Sequence, residues 1–213
     1  WRRLVGNSMA LYKKIAFGSD GLVGIWKITE SLSELESIIT LDDDEMDVFN
    51  QFRFEARKKE WLAVRCLLTQ LLGHYVPIRY LPSGKPCIEG GYISISHTKG
   101  YVGVSLSKEP TAIDLEYPSN RVVPLAHRFV SEKEMLMVGE QDKALKMLLI
   151  WSGKETLFKL YDREGVIFNT DLFIQNLSLA EQGTMKGGIC KDGYQNEREL
   201  FFQLSDDLIL VYC

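Results

Sequence analysis

A chain of 213 residues, 46% of them hydrophobic, can bury one large core or two intimate smaller ones. Its 25 basic residues are outweighed by 29 acidic ones, a net charge of −4 that argues against a general nucleic-acid surface and leaves room only for a local basic pocket. No apolar run reaches the roughly 20 residues of a membrane span, the opening Trp-Arg-Arg has no signal-peptide pattern and reads as a trimmed start, and four scattered cysteines (Cys66, Cys87, Cys190, Cys213) without metal-type spacing point to reduced thiols in a cytoplasm.

Leu22 to Ile28, rich in branched and aromatic residues, predicts a strand. Ser31 with Glu34 is a capping box: the hydroxyl accepts an orphan helix N–H and the carboxylate reaches back, so a helix should run to about Thr40. From Asp47 to about Leu72 the pattern is helical, with Trp61, Val64, Leu68 and Leu71 on one stripe and Gly73 as the stop. The period then changes to two. Ile78 to Leu81 is a short strand, Pro82 to Pro86 a turn, and the segments from Tyr92 to Ser96 and from Tyr101 to Ser107 alternate on either side of a loop from His97 to Gly100.

After Pro110 the plan restarts: a strand over Thr111 to Tyr117, a second capping box at Ser131 and Glu134, and a long helix from about Asp142 to Tyr161. Strand candidates follow at Leu172 to Leu177, Glu199 to Leu204 and Leu208 to Tyr212. Strand, capped helix, long helix and strands therefore occur twice. The expectation is an α+β fold of two similar halves, residues 1–109 and 110–213, the second carrying the acids discussed next.

Side chains of a strand alternate faces, so Asp114 and Glu116 share one face of the 111–117 strand. Two carboxylates so placed repel unless a cation or protons intervene, or unless the face is simply a solvated edge. On the long helix Leu148, Trp151, Ser152, Glu155 and Lys159 form a stripe that begins apolar and ends charged, as a cleft wall would; an ordinary surface Glu–Lys pair has the same spacing. Ser96-His97 follows a strand, a place for a phosphate contact or for a plain loop. Neither a P-loop nor a hydrolase elbow is present, and His74, His97 and His127 lack metal-ligand spacing.

Four pieces in order resemble the 4′-phosphopantetheinyl transferases of the larger, surfactin-synthetase-activating type: Gly84-Lys85-Pro86, Ser96-His97-Thr98, Ala112-Ile113-Asp114-Leu115-Glu116, and Trp151-Ser152-Gly153-Lys154-Glu155 with Lys159. Arg128-Phe129-Val130-Ser131 and the helix residue Arg65 also match the family's pattern. Ala112 stands where the family usually has Gly, and Asp162-Arg163-Glu164-Gly165 keeps one glycine of a Gly-x-Gly. The resemblance implies two α+β halves with the site between them, in a chain that acts as a monomer. It implies Mg2+-dependent transfer of the phosphopantetheine arm of coenzyme A to a serine of an acyl or peptidyl carrier protein, serving fatty-acid, polyketide or nonribosomal-peptide synthesis and releasing adenosine 3′,5′-bisphosphate. By the same resemblance Asp114, Glu116 and Glu155 hold Mg2+, Glu155 accepts the serine proton, and Lys159 holds a phosphate oxygen. Arg65, Lys85, Ser96 and His97 contact coenzyme A, and Lys154 either joins them or is structural. A non-catalytic coenzyme A or carrier-binding module, and another Mg2+-dependent phosphotransferase or hydrolase, are the competing readings. No nucleic acid or membrane is expected as a partner.

Overall fold

A computed structural model describes residues 11–213, so the N-terminal Trp-Arg-Arg lies outside the described residues. The chain is α+β throughout. Its first half opens with strands β1 (Leu11–Phe17) and β2 (Gly21–Lys27), followed by helices α1 (Leu32–Ile38), α2 (Asp43–Gln51) and α3 (Glu55–Leu72). A small hairpin, β3 (Arg79–Tyr80) with β4 (Pro86–Cys87), leads into strands β5 (Tyr92–Thr98) and β6 (Tyr101–Ser107). The second half contains β7 (Ile113–Glu116), helices α4 (Ala126–Phe129), α5 (Glu132–Val138) and α6 (Lys143–Tyr161), then β8 (Leu172–Gln175), β9 (Gln182–Lys191), β10 (Tyr194–Leu204) and β11 (Ile209–Tyr212).

The start and stop signals act as expected. Ser31 and Ser131 each close a capping box, with Glu34 and Glu134 as the returning carboxylates. Gly73 ends α3 in the left-handed conformation at φ 79°, where a side chain is disfavoured. The single helix expected from Asp47 to Leu72 is instead two. Phe52 and Phe54 are extended, and the fold-back sets the rings of both Phe49 and Phe52 5.9 Å from Trp61. Aromatic packing overrides a periodic pattern there. Strands β1 and β9 were not expected either. Glycines dilute the alternation of β9, and Gly188 has a packing reason: a Cβ there would stand 2.3 Å from the Asn196 carbonyl oxygen on β10.

Both sheets are antiparallel, ordered β1-β2-β6-β5 and β7-β11-β10-β9-β8. In each, a strand that precedes the helices (β2 or β7) pairs with the last strand of its half (β6 or β11), which pairs in turn with the one before it. Helix α3 covers β2 and β6 while α6 covers β7, β8, β9 and β11, each over its own apolar core. A third cluster joins the halves: Val23, Ile25 and Tyr101 from the first pack on Ile113, Leu115, Leu208, Leu210 and Tyr212 from the second. Gly103 permits that approach, since a Cβ would meet Leu115 Cδ1 at 2.8 Å and Ile113 Cδ1 at 2.9 Å. Strand β7 lies beside β5, where Ser94 and Ser96 hydroxyls accept the backbone N–H groups of Ile113 and Leu115 at 3.2 and 3.0 Å. Two side chains thus satisfy donors that a strand ladder would otherwise take.

The repeat extends to a buried ion pair in each half. Glu45, three residues after the Asp42 cap of α2, pairs with Arg65 of α3 at 2.9 Å; Glu134, three after the Ser131 cap of α5, pairs with Lys154 of α6 at 2.8 Å. Both pairs span 20 residues. Each acid also accepts a backbone N–H from the segment after the long helix, Ile78 at 3.1 Å and Ile174 at 2.8 Å.

Gly188→Ala is expected to destabilise the fold by about 2–3 kcal/mol, because its neighbour is backbone. Gly153→Ala should cost much less: the atoms in the way are the flexible ends of Met185 and Ile174, and alanine recovers ~1 kcal/mol of helix propensity. Urea denaturation of the two variants measures the difference.

Candidate active site

Strand β7 places the site acids. Ile113 and Leu115 turn into the cluster between the halves, so Asp114 and Glu116 turn the other way, toward α6. They are 5% and 7% exposed, so this is not a solvated edge face. Ser105 and Thr111 fix the entry to the strand, with the Thr111 hydroxyl donating to the Cys213 carbonyl at 2.6 Å.

Helix α6 supplies the facing wall through the expected stripe. Ser152 donates to Asp114 Oδ2 at 2.8 Å, and Lys159 donates to Asp114 Oδ1 at 2.8 Å and to the Ile113 carbonyl at 3.0 Å. Ser96 of β5 adds a bond to Asp114 Oδ1 at 3.2 Å. Asp114 therefore gathers donors from both halves of the chain. On Glu116, Oε1 accepts from the Trp151 indole at 2.7 Å, while Oε2 is paired with Arg121 from the loop after β7. Trp151 is braced by Phe129 and Phe168, whose rings lie 5.2 and 5.6 Å away.

Glu155 sits one turn before Lys159 and is half-buried. Its carboxylate has no hydrogen bond or ion pair among the described residues, because Lys159 has turned to Asp114 instead of forming the surface pair that the spacing also allows. Burial pushes the Glu155 carboxyl up to about 7, with the charges of Asp114 and Glu116 adding to the rise and Lys159 opposing it. Burial and the neighbouring Asp114 also raise Glu116, against the pull of Arg121 and Trp151.

The structure thus brings together Ser96, Asp114, Glu116, Glu155 and Lys159, and adds Trp151, Ser152 and Arg121. Trp151 and Ser152 lay on the predicted stripe; Arg121 carried no sequence signal. Two residues expected at the coenzyme belong instead to the cores. Arg65 is 2% exposed, held by Glu45 and the Trp61 carbonyl, with its guanidinium 3.1 Å from the Trp61 ring centre. Lys154 is fully buried, donating to Glu134 and to the carbonyls of Phe129 and Phe168. Both are the basic half of the repeated ion pair, and a buried charge so engaged is not available to a ligand without a large desolvation penalty. Lys85 lies between: its ammonium caps the end of α6 on the Leu160 carbonyl at 3.2 Å. His97, on the face of β5 opposite Ser96, is half exposed, 3.4 Å from Arg57 and 3.9 Å from Glu60. Arg57 is one of several basic residues around that helix start.

The donor set suits a hard divalent cation: three carboxylates, oxygen only, with Glu116 and Glu155 raised first by burial and then by the charge of Asp114. As the side chains stand, no three acids, histidines or cysteines among the described residues form a ready coordination group. Lys159, Ser96, Ser152, Trp151 and Arg121 engage the oxygens of Asp114 and Glu116. Each carboxylate has about four acceptor positions, so these bonds do not exhaust it.

No protein-family model matches the chain. A 4′-phosphopantetheinyl transferase of Nostoc sp., HetI, is 27% identical to it in an alignment of 160 positions that covers 64% of this chain and 67% of HetI. Over that stretch the chain is similar to a 4′-phosphopantetheinyl transferase. That likeness agrees with the α+β architecture. No helix among the described residues is long and apolar enough to cross a membrane.

Two outcomes follow from this geometry. Lys154→Met should destabilise the protein by about 3 kcal/mol in chemical denaturation, since Glu134 is left charged and buried. The second concerns pH. The folded chain keeps a proton on Glu155 up to about pH 7, whereas the ordinary glutamate value is 4.5. Raising the pH between these values therefore destabilises the metal-free fold, and the loss is complete above 7. Glu155→Gln should melt several degrees higher than the parent at pH 8 and at nearly the same temperature at pH 4. An offset independent of pH would contradict the assignment.

Proposed function

We propose that this chain is a Mg2+-dependent 4′-phosphopantetheinyl transferase of the larger, surfactin-synthetase-activating type, acting on coenzyme A and a serine of an acyl or peptidyl carrier protein. The observation that carries the reading is the convergence of β7 and α6. Ser152 and Lys159 reach Asp114, Trp151 reaches Glu116, and Glu155, unpaired among the described residues, stands beside both acids with its carboxyl pushed up to about 7.

Asp114, Glu116 and Glu155 would hold the cation, which when bound neutralises charge on the pyrophosphate and on the leaving phosphate. The protein's own groups do the rest. The serine oxygen forms a bond to the β-phosphorus of coenzyme A, the bond from that phosphorus to the bridging oxygen breaks, and adenosine 3′,5′-bisphosphate departs. The serine proton passes to Glu155, directly or through one water; a carboxylate near neutrality is matched to that task. Lys159 transfers its ammonium from Asp114 to a phosphate oxygen. His97 and Arg57, exposed together beside β5, would take the nucleotide phosphates, joined by Lys85 once it leaves the end of α6. We assign residues 1–109 and 110–213 as the two halves of one monomeric, cytoplasmic enzyme.

The test is mass spectrometry of an apo carrier protein incubated with the chain, coenzyme A and Mg2+. The carrier should gain one phosphopantetheine group. Glu155→Gln should lower the rate by at least ~100-fold, and Asp114→Ala should abolish transfer with the circular dichroism spectrum retained. Binding of coenzyme A with no gain on several carriers would favour a binding module. Release of adenosine 3′,5′-bisphosphate without a carrier product would favour a hydrolase.

A further inference from the structure

Each of the two strand acids has a cation of the chain's own. Lys159 serves Asp114, and Arg121 serves Glu116. The second partnership has features of a temporary one. Arg121 comes from the loop between β7 and α4, not from a helix that fixes it, and it is 37% exposed while Glu116 is 9% exposed at the side chain. Its other contacts are weak: the guanidinium lies 4.9 Å from the Tyr117 ring centre and donates to the Ser119 hydroxyl at 3.4 Å. Glu116 would stay in place if Arg121 left, because the other oxygen is bonded to Trp151, which is clamped between Phe129 and Phe168. One carboxylate thus has a rigid neutral donor on one oxygen and a movable charged donor on the other.

We propose that Arg121 is a displaceable counter-ion: it holds Glu116 until a divalent cation takes that carboxylate, and it then moves onto the pyrophosphate of the substrate. The inference rests on the reading of Asp114, Glu116 and Glu155 as cation ligands. The physical argument is charge. Asp114 and Glu116 share one face of a buried strand, and Lys159 and Arg121 supply the positive charge that offsets their repulsion. When the divalent cation supplies it, a guanidinium on the same oxygen becomes a like-charge neighbour and is repelled. A freed arginine beside a diphosphate has a better partner, since its planar fork matches phosphate oxygens. Arg121 is thus a positioning residue for Glu116 in the free protein and a binding residue in the complex.

The two roles carry opposite signs, which an ordinary surface ion pair does not. In Arg121→Met the competitor for Glu116 is gone, so Mg2+ alone should bind about 3- to 10-fold more tightly by isothermal titration calorimetry. Coenzyme A, titrated in saturating Mg2+, should bind about tenfold more weakly. Arg121→Lys should restore the Mg2+ affinity to near the parent value and recover only part of the coenzyme A affinity. If Arg121→Met weakens both ligands, or leaves both unchanged at an unaltered urea midpoint, the counter-ion proposal is wrong while the reading of the site stands. If the parent chain binds neither Mg2+ nor coenzyme A, that reading fails and the proposal fails with it.

Discussion

Asp114 is the point on which the architecture turns. Its two oxygens accept from Ser96 of the first sheet and from Ser152 and Lys159 of the long helix of the second half. A nearly buried carboxylate is tolerable only with such a set of donors, and those donors come from two separate stretches of chain, β5 and α6. Fixing Asp114 therefore fixes strand β7 against β5 on one side and against α6 on the other. The bonds from Ser94 and Ser96 to the β7 backbone, and the apolar cluster of Ile113 and Leu115 behind it, lock the same junction from the opposite face. The residues that assemble the halves and the residues proposed for the chemistry are largely the same ones.

The two halves share an ion pair as well as a topology. An acid at the third position of a capped helix reaches a basic residue of the next long helix, and its remaining oxygen capacity goes to a backbone N–H beyond that helix. Replacing such a pair by apolar residues can be neutral, whereas removing one partner is costly. The pair is best understood as setting where each long helix sits on its sheet. In the second half that position decides the site, because Glu155 and Lys159 follow Lys154 on the same helix. A lysine committed wholly to the core aims the neighbouring glutamate outward, toward the strand acids.

Charge balance at the site gives Glu155 its distinct character. Asp114 and Glu116 each have a cation in contact, and among the described residues Glu155 has none. Burial raises Glu116 against the pull of Arg121 and Trp151, whereas Glu155, with no bonded partner among the described residues, is displaced to near neutrality. Three acids of similar chemistry are made unequal by which of them the helix and the loop happen to face.

Much was legible in the order of residues alone. The capping boxes at Ser31 and Ser131, the glycine stop at Gly73, the alternation that put Asp114 and Glu116 on one face, and the stripe from Leu148 to Lys159 are local signals, each set by sterics or hydrogen bonding within a few residues. The break between α2 and α3 was not legible, because it depends on two phenylalanines meeting a tryptophan further along the chain. Strand β9 was hidden because its glycines are explained only by the strand and helix packed against them. Arg65 and Lys154 read as ligand contacts because a basic residue at a motif position looks the same whether it faces solvent or core. The equal 20-residue spacing to Glu45 and Glu134 was the clue, and it acquires meaning only once both acids are seen at equivalent helix starts. Arg121 had no clue at all: its partner, Glu116, is chosen by the path of a loop. Local periodicity and capping determined the elements and the candidate acids; burial and long-range pairing, which exist only in three dimensions, decided which charges remain free to act.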